Sequence, residues 1–275
     1  MSLRRLSTTT LIQLLLIFNT VMVLYPIWVM SLSSFKSTRE IFRNPFGLPE
    51  SFNLDNFIKI WQQTNFPLYF RNSVVVTSGS IVLILILGIM AAYALGRYQF
   101  RGNELLYLFF LSGLMLPLRL ALIPLFIELK AFGLINSHLG LIFIYAAQGL
   151  PSAVFIMTGF LRTLPSDLEN AARIDGASEL QILLRVMLPL TRPALVIVSI
   201  YNLVPVWNDF FFPLVFIQSE NLKTLPLGLT VFMGQYSTDW AVLFAGLTAA
   251  AIPVIVLYVI LSRQFIAGLT AGALK

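Results

Sequence analysis

The sequence predicts an all-α integral membrane protein of about six transmembrane helices. Hydrophobic residues fill 58% of its 275 positions and charged residues only 11%. Mean hydropathy is +0.86, far from the balance of a soluble domain. The apolar residues also come in long blocks, not in the three-and-four spacing of a helix that buries one face and wets the other.

A helix needs about 20 apolar residues to cross the hydrocarbon core. Runs of that kind fall at 11–33, 72–95, 105–127, 139–160, 194–217 and 241–261, and they organise residues 1–275 as a single transmembrane domain. Arg4 and Arg5 precede the first run like the start of a signal peptide. The run continues to Ser33 without a small-residue cleavage pattern, so it reads as a retained helix. The loop 34–71 is too polar to cross lipid and carries turn signals at Asn44-Pro45 and Gly47-Leu48-Pro49. Asn53 is placed to cap a short helix ending at Gln63. The third run is interrupted by Pro117, Arg119 and Pro124, breaks that lipid tolerates only where protein or water satisfies the freed backbone.

An even number of spans puts both termini on one side. With that side cytoplasmic, ten Lys and Arg lie inside, among them Arg4, Arg5, Arg263 and Lys275, against seven outside, with Arg119 within a span. Five of the outer seven belong to the 34–71 loop, and the short outer loops are nearly free of positive charge, as the positive-inside rule requires.

Several chemistries are excluded or disfavoured. With no cysteine and one histidine, thiolate metal sites, disulfides and histidine metal clusters are out, and metal ligands are expected to be none. His138, in the stretch Gly133–Gly140, reads as an exposed loop side chain. The net charge of +6 is dispersed singly between apolar blocks, which suits topology signals flanking spans that meet membrane lipid and not a nucleic-acid surface. No acid, base and nucleophile converge as catalytic residues.

The most informative stretch is the cytoplasmic loop 165–189. Ser166 with Glu169, and Ser178 with Gln181, have the spacing of capping boxes, in which a hydroxyl and a side chain three residues on satisfy each other's free backbone donors. Asp175-Gly176 suits a helix end, because glycine takes the left-handed conformation without a side-chain penalty. Two short helices meeting at a sharp bend follow. Ala171, Ala172, Gly176 and Ala177 would give that bend a surface of small side chains that another protein can approach closely, though a loop packing only on its own bundle fits the same features.

This stretch resembles the signature loop of ABC importer membrane subunits, whose pattern is E-A-A, three residues, G, nine residues, I-x-L-P. Here stand Asn170-Ala171-Ala172, then Gly176, then Val186-Met187-Leu188-Pro189, with matching spacing. Asn170 replaces the glutamate of the pattern, and Glu169 is the candidate to supply the missing charge. Ala-Ala-Arg-Ile-Asp-Gly-Ala, Ala91-Ala-Tyr-Ala-Leu-Gly-Arg97, Trp207-Asn208, Thr224-Leu-Pro-Leu-Gly228 and the ending Ile266-Ala-Gly-Leu-Thr-Ala-Gly-Ala-Leu-Lys275 are similar to the MalG-like permease subunits of the carbohydrate-uptake branch. That resemblance implies four core parts in a bacterial or archaeal cytoplasmic membrane: this permease, a second and different permease subunit, and two ATPase subunits, fed by an extracytoplasmic sugar-binding protein. It implies ATP and Mg bound by the partner ATPases. The absence of a G-x-x-x-x-G-K-[ST] phosphate loop agrees. The coupling loop would carry ATP-driven motion to the bundle, which alternates the side its cavity faces.

Polar residues inside apolar spans are costly in lipid and tend to face a cavity. In the fifth run Ser199, Asn202 and Asp209 recur at helical spacing with Asn208 adjacent, beside Trp207 and Phe210, a combination suited to sugar hydroxyls and carbon faces. Asp209 reads equally as an interfacial residue or as a partner of Arg119. Gln148 is a further polar residue of the fourth run. A permease for a non-sugar solute such as a polyamine fits the same fold, while an ion-gradient-driven secondary transporter would need intramembrane carboxylates, for which Asp209 and Glu128 are the candidates.

Overall fold

The computed structural model of the chain describes the backbone of residues 3–233 and 238–273 and the side chains of 9–62, 64–233 and 238–261. The orientation signals Arg4, Arg5, Arg263 and Lys275 have side chains outside the described residues, as does the whole of the family-like ending 266–275. By internal contacts the chain divides into two units, residues 1–67 with 228–253 and residues 68–227 with 254–275.

In the first unit, α1 (Leu3–Ser33) is followed by α2 (Thr38–Arg43) and α3 (Asp55–Gln63). No part of the apolar window of α1 is buried, as befits a helix whose whole circumference meets lipid or a partner. The loop after it is organised by Lys36. Its fully buried ammonium donates to the carbonyls of Asn44 at 2.8 Å and Gly47 at 2.6 Å. Asn56 on α3 holds the carbonyls of Ser34 and Lys36. Asn53 accepts a hydrogen bond from Asp55 N at 3.4 Å at the start of α3.

The second unit is built on α4 (Phe66–Arg97) and α7 (His138–Leu161). They approach closely because small residues face each other: a Cβ on Gly88 would lie 2.7 Å from that of Ala153. Small residues do in lipid what hydrophobic burial does in water, letting backbones reach van der Waals contact. Just over half of the α7 window is buried, the largest share of any candidate span.

The 105–127 run is not one helix. α5 (Asn103–Ser112) ends, Pro117 is extended, a 3-10 turn covers Leu118–Ala121, and α6 (Leu122–Ala131) resumes. Pro117 has no N–H to continue a helix and biases Leu116 away from the helical region. The 194–217 run is also broken. α8 (Asp167–Ile174) and α9 (Glu179–Leu190) precede α10 (Arg192–Asn208), which stops before Asp209, and α11 (Phe211–Phe216) follows. α9 contains a π turn at Leu183–Met187 and meets α10 at 76°. α12 (Trp240–Ala273) is the last helix. Among the described residues four helices are each long and apolar enough to cross a membrane, with a fifth if the α9–α10 pair counts as one span.

His138 is not an exposed loop residue. It begins α7, and its Nε2 lies 3.0 Å from the carbonyl of Leu222. The turn before it is pinned by Asn136, whose left-handed backbone (φ 57°) lets its side chain accept from the N–H groups of Gln218 and Ser219, both at 2.9 Å. Asparagine tolerates that conformation better than other residues with a side chain.

Candidate functional site: the 165–189 bend and the polar cavity

The loop 165–189 is anchored on one side and bare on the other. Ile182, Leu183 and Met187 of α9 are buried in the same cluster as Ile84, Ala92, Ala153, Met157 and Val198 of the bundle. Gly176 takes φ +81°, Gly176 N donates to Arg173 O at 3.0 Å and Ala177 N to Ala172 O at 2.9 Å. These are the two hydrogen bonds of a Schellman ending, which needs a left-handed residue after the helix. Ser178 and Gln181 form the reciprocal capping box expected of them.

The other expected box does not form. Ser166 has helical backbone and no side-chain cap, because Glu169 is turned inward. Its carboxylate accepts from Arg97 Nε at 2.9 Å, and both side chains are almost wholly buried. Arg97 Nη1 also donates to the carbonyls of Leu161 and Leu164 at 3.0 and 2.9 Å. Glu169 therefore does not offer a free charge at the surface in place of the glutamate missing at Asn170, which is itself exposed and accepts from Arg173 at 3.2 Å.

The small side chains of the bend divide in the same way. Ala171 and Gly176 are exposed, whereas Ala172 and Ala177 pack against the bundle core. Leu188 also packs there, while Asp175 and Pro189 are exposed. Between them Ile174 is 86% exposed and Leu180 63%, bare apolar side chains flanking a polar turn. Glu179 braces the turn: it pairs with Arg173 at 2.8 Å and accepts from the hydroxyls of Tyr98 and Tyr93. Hydrogen bonding from Arg173, then from the two tyrosines, holds its carboxyl down at about 2. Burial and the hydrogen bond to Glu179 push the Tyr98 hydroxyl up.

A cavity of about 520 Å³ opens where the α5–α6 break faces α7 and α10. Its polar lining is Arg119 from the break, Tyr145, Gln148 and Ser152 from α7, and Tyr201 and Asn202 from α10. Asn202 is buried and exchanges hydrogen bonds with Ser152 at 3.2–3.3 Å. Gly149 makes room for it, since a Cβ there would lie 2.6 Å from Asn202 Oδ1.

The shared helical face expected of Asn202 and Asp209 is absent, because Asp209 has left the helix (φ −72°, ψ 126°). Its carboxylate accepts from Phe212 N at 3.0 Å, Phe211 N at 3.3 Å and the Tyr145 hydroxyl at 2.8 Å. That is the work of an N-cap: an acceptor that satisfies the free donors at the start of α11. Neither Asp209 nor Asn208 lines the cavity, and Asn208 is exposed with its amide on the Val204 carbonyl. Arg119 does not pair with Asp209; its guanidinium lies over the Phe211 ring, 5.3 Å from the centroid. Tyr145 and Ser152 escaped the sequence reading, although with Gln148 and Gly149 they fall at the i, i+3, i+4, i+7 spacing of one helix face.

A family model described as the binding-protein-dependent transport system inner membrane component matches residues 84–266. The chain is 36% identical to the diacetylchitobiose uptake system permease protein NgcG of Streptomyces coelicolor, over 95% of this chain and 87% of that one. It is 35% identical to the inner membrane ABC transporter permease protein YcjP of Escherichia coli K12, over 93% and 92%. The arabinooligosaccharides transport system permease protein AraQ of Halalkalibacterium halodurans is also 35% identical, over 91% of each chain. In fold it resembles a chain of a bacterial ABC transporter that imports the acidic polysaccharide alginate, with TM-score 0.84, 23% identity, and 96% and 99% coverage. The chain thus belongs to the family of inner membrane components of binding-protein-dependent transport systems, as a multi-pass permease subunit of an ABC transporter.

Proposed function

We propose that this chain is one of two different membrane subunits of a sugar importer, in which two ATPase subunits bind ATP and Mg and one of them docks on this chain's bend at 171–180. A binding protein outside the membrane delivers the sugar. Both termini lie in the cytoplasm, residues 1–275 act as one permease domain, and the interrupted 105–127 and 194–217 stretches each complete a crossing within protein, where broken backbone is tolerated.

The observation that carries the proposal is the two-sided loop: Ile182 and Met187 rooted in the bundle core, Ile174 and Leu180 bare on the opposite side. A rigid element of that kind passes a displacement from a partner to the helices it is rooted in. The cavity beside Asn202, Gln148 and Ser152 is assigned as this chain's share of the translocation path. Hydroxyl-matching side chains there accord with relatives whose names specify diacetylchitobiose and arabinooligosaccharides.

Uptake by the complete importer reconstituted in proteoliposomes tests this. Accumulation of labelled oligosaccharides should stop when ATP hydrolysis is blocked and persist when proton and sodium gradients are collapsed. Uptake abolished by an ionophore at undiminished ATP would contradict it.

A further inference from the structure

Arg119 is a cation at the cavity wall with no counter-ion among the described residues. It sits in the 3-10 turn Leu118–Ala121 and, among the described residues, takes part in no ion pair. The cavity lining contains no acidic side chain. Asp209, the carboxylate nearest to the Phe211 ring in sequence, is occupied by Tyr145 and the α11 N–H groups. An arginine within an otherwise apolar stretch carries a desolvation cost that calls for a function or a partner. Its guanidinium lies over the Phe211 ring. A guanidinium stacked on a ring face is fixed in orientation while its edge N–H donors remain available, in a fork that matches a carboxylate. Around it Gln148, Ser152, Tyr201 and Asn202 offer neutral donors and acceptors.

Resting on the sugar-import reading, we infer that the cavity takes oligosaccharides bearing a carboxylate, with Arg119 holding the acid group and the neutral side chains meeting ring hydroxyls. Among the described residues no acidic side chain lines the cavity to neutralise this charge, so an incoming carboxylate gains an ion pair and acidic sugars are favoured over neutral ones of the same size.

The test is competitive uptake by the complete importer with its binding protein, using labelled neutral and uronate-containing oligosaccharides of matched length. The expected result is preferential accumulation of the uronate-containing pool. Arg119→Gln should lower that preference about tenfold or more, and Arg119→Lys, which keeps the charge but not the fork, should lower it less. A wild-type preference for the neutral pool overturns the inference while leaving sugar import standing. So does an unchanged ratio in Arg119→Gln. Failure of Arg119→Gln to co-purify with the second membrane subunit overturns it too, by assigning the cation to a subunit contact. If ATP drives accumulation of neither pool, both the inference and the sugar-import reading fall.

Discussion

Arg97, at the end of α4, and Glu169, on α8, form an ion pair 2.9 Å long with side chains only 7% and 5% exposed. The same guanidinium holds the carbonyls of Leu161, at the end of α7, and Leu164. Two bundle helices and the 165–189 loop thus share one polar fastening. Glu169 is one residue from the position where the family pattern has its glutamate, yet its charge is spent inside the subunit.

Removing one member of this pair leaves the other buried and uncompensated. Arg97→Ala or Glu169→Ala should destabilise the subunit by about 3–5 kcal/mol, read as a lowered midpoint of thermal or denaturant unfolding in detergent. Arg97→Met combined with Glu169→Met should cost less than either single change, because no buried charge is orphaned. Equal or greater loss in the double variant would show that the pair is not acting as a unit.

Glu179 sets a pH window for the bend. Its carboxyl is held at about 2 in the folded chain, below its ordinary 4.5, chiefly by Arg173. A depressed carboxyl contributes stability that is fully present above its unfolded value and lost as pH falls toward the folded one. The bend should therefore be unchanged from neutrality down to about pH 5 and loosen between about 4.5 and 2. Amide hydrogen exchange at residues 173–179 measures this. Glu179→Gln should exchange faster already at neutral pH, and identical exchange in the variant would contradict the bracing role.

Two glycines of α7 should respond in opposite ways to alanine. At Gly149 a Cβ would meet Ile84 Cδ1 at 2.4 Å and Asn202 Oδ1 at 2.6 Å, whereas at Gly159 nothing lies within 4 Å. Gly149→Ala should cost about 1–3 kcal/mol through forced repacking and impair uptake by displacing Asn202. Gly159→Ala should be neutral or stabilise by about 0.5–1 kcal/mol, as expected for a helix interior. Thermal unfolding of the two variants side by side decides the matter.

The long apolar runs and the signature spacing were legible in the sequence because each rests on local chemistry: block length for the spans, glycine and serine positions for the bend. What was not legible depends on residues far apart in the chain. Ser166 and Glu169 have the right spacing for a capping box, but Arg97, 72 residues earlier, claims the carboxylate. Asp209 has the right spacing to continue the face of Asn202, but the free donors of α11 and the Tyr145 hydroxyl draw it out of the helix. Pro117 announced a break in the third run. That the break would join Tyr201 and Gln148 around a cavity is a property of packing, with no signal in that segment alone.

The docking role of the bend is tested most directly by the exposed residues, since changes at Ala172 or Ala177 would also disturb the bundle core they pack on. Ile174→Glu and Ala171→Asp place charges on the bare side, and a charge buried at a docking surface without a partner costs several kcal/mol. The measurement is co-purification of the ATPase subunits with each variant, beside ATP-dependent uptake and with Arg192→Ala as a control beyond the bend. The expected result is normal membrane insertion and unfolding midpoint, loss of ATPase association and abolished uptake in both variants, with association retained in the control. Recovery of the ATPases at wild-type yield with both Ile174→Glu and Ala171→Asp, and with uptake intact, would contradict the assignment of this bend as the coupling element.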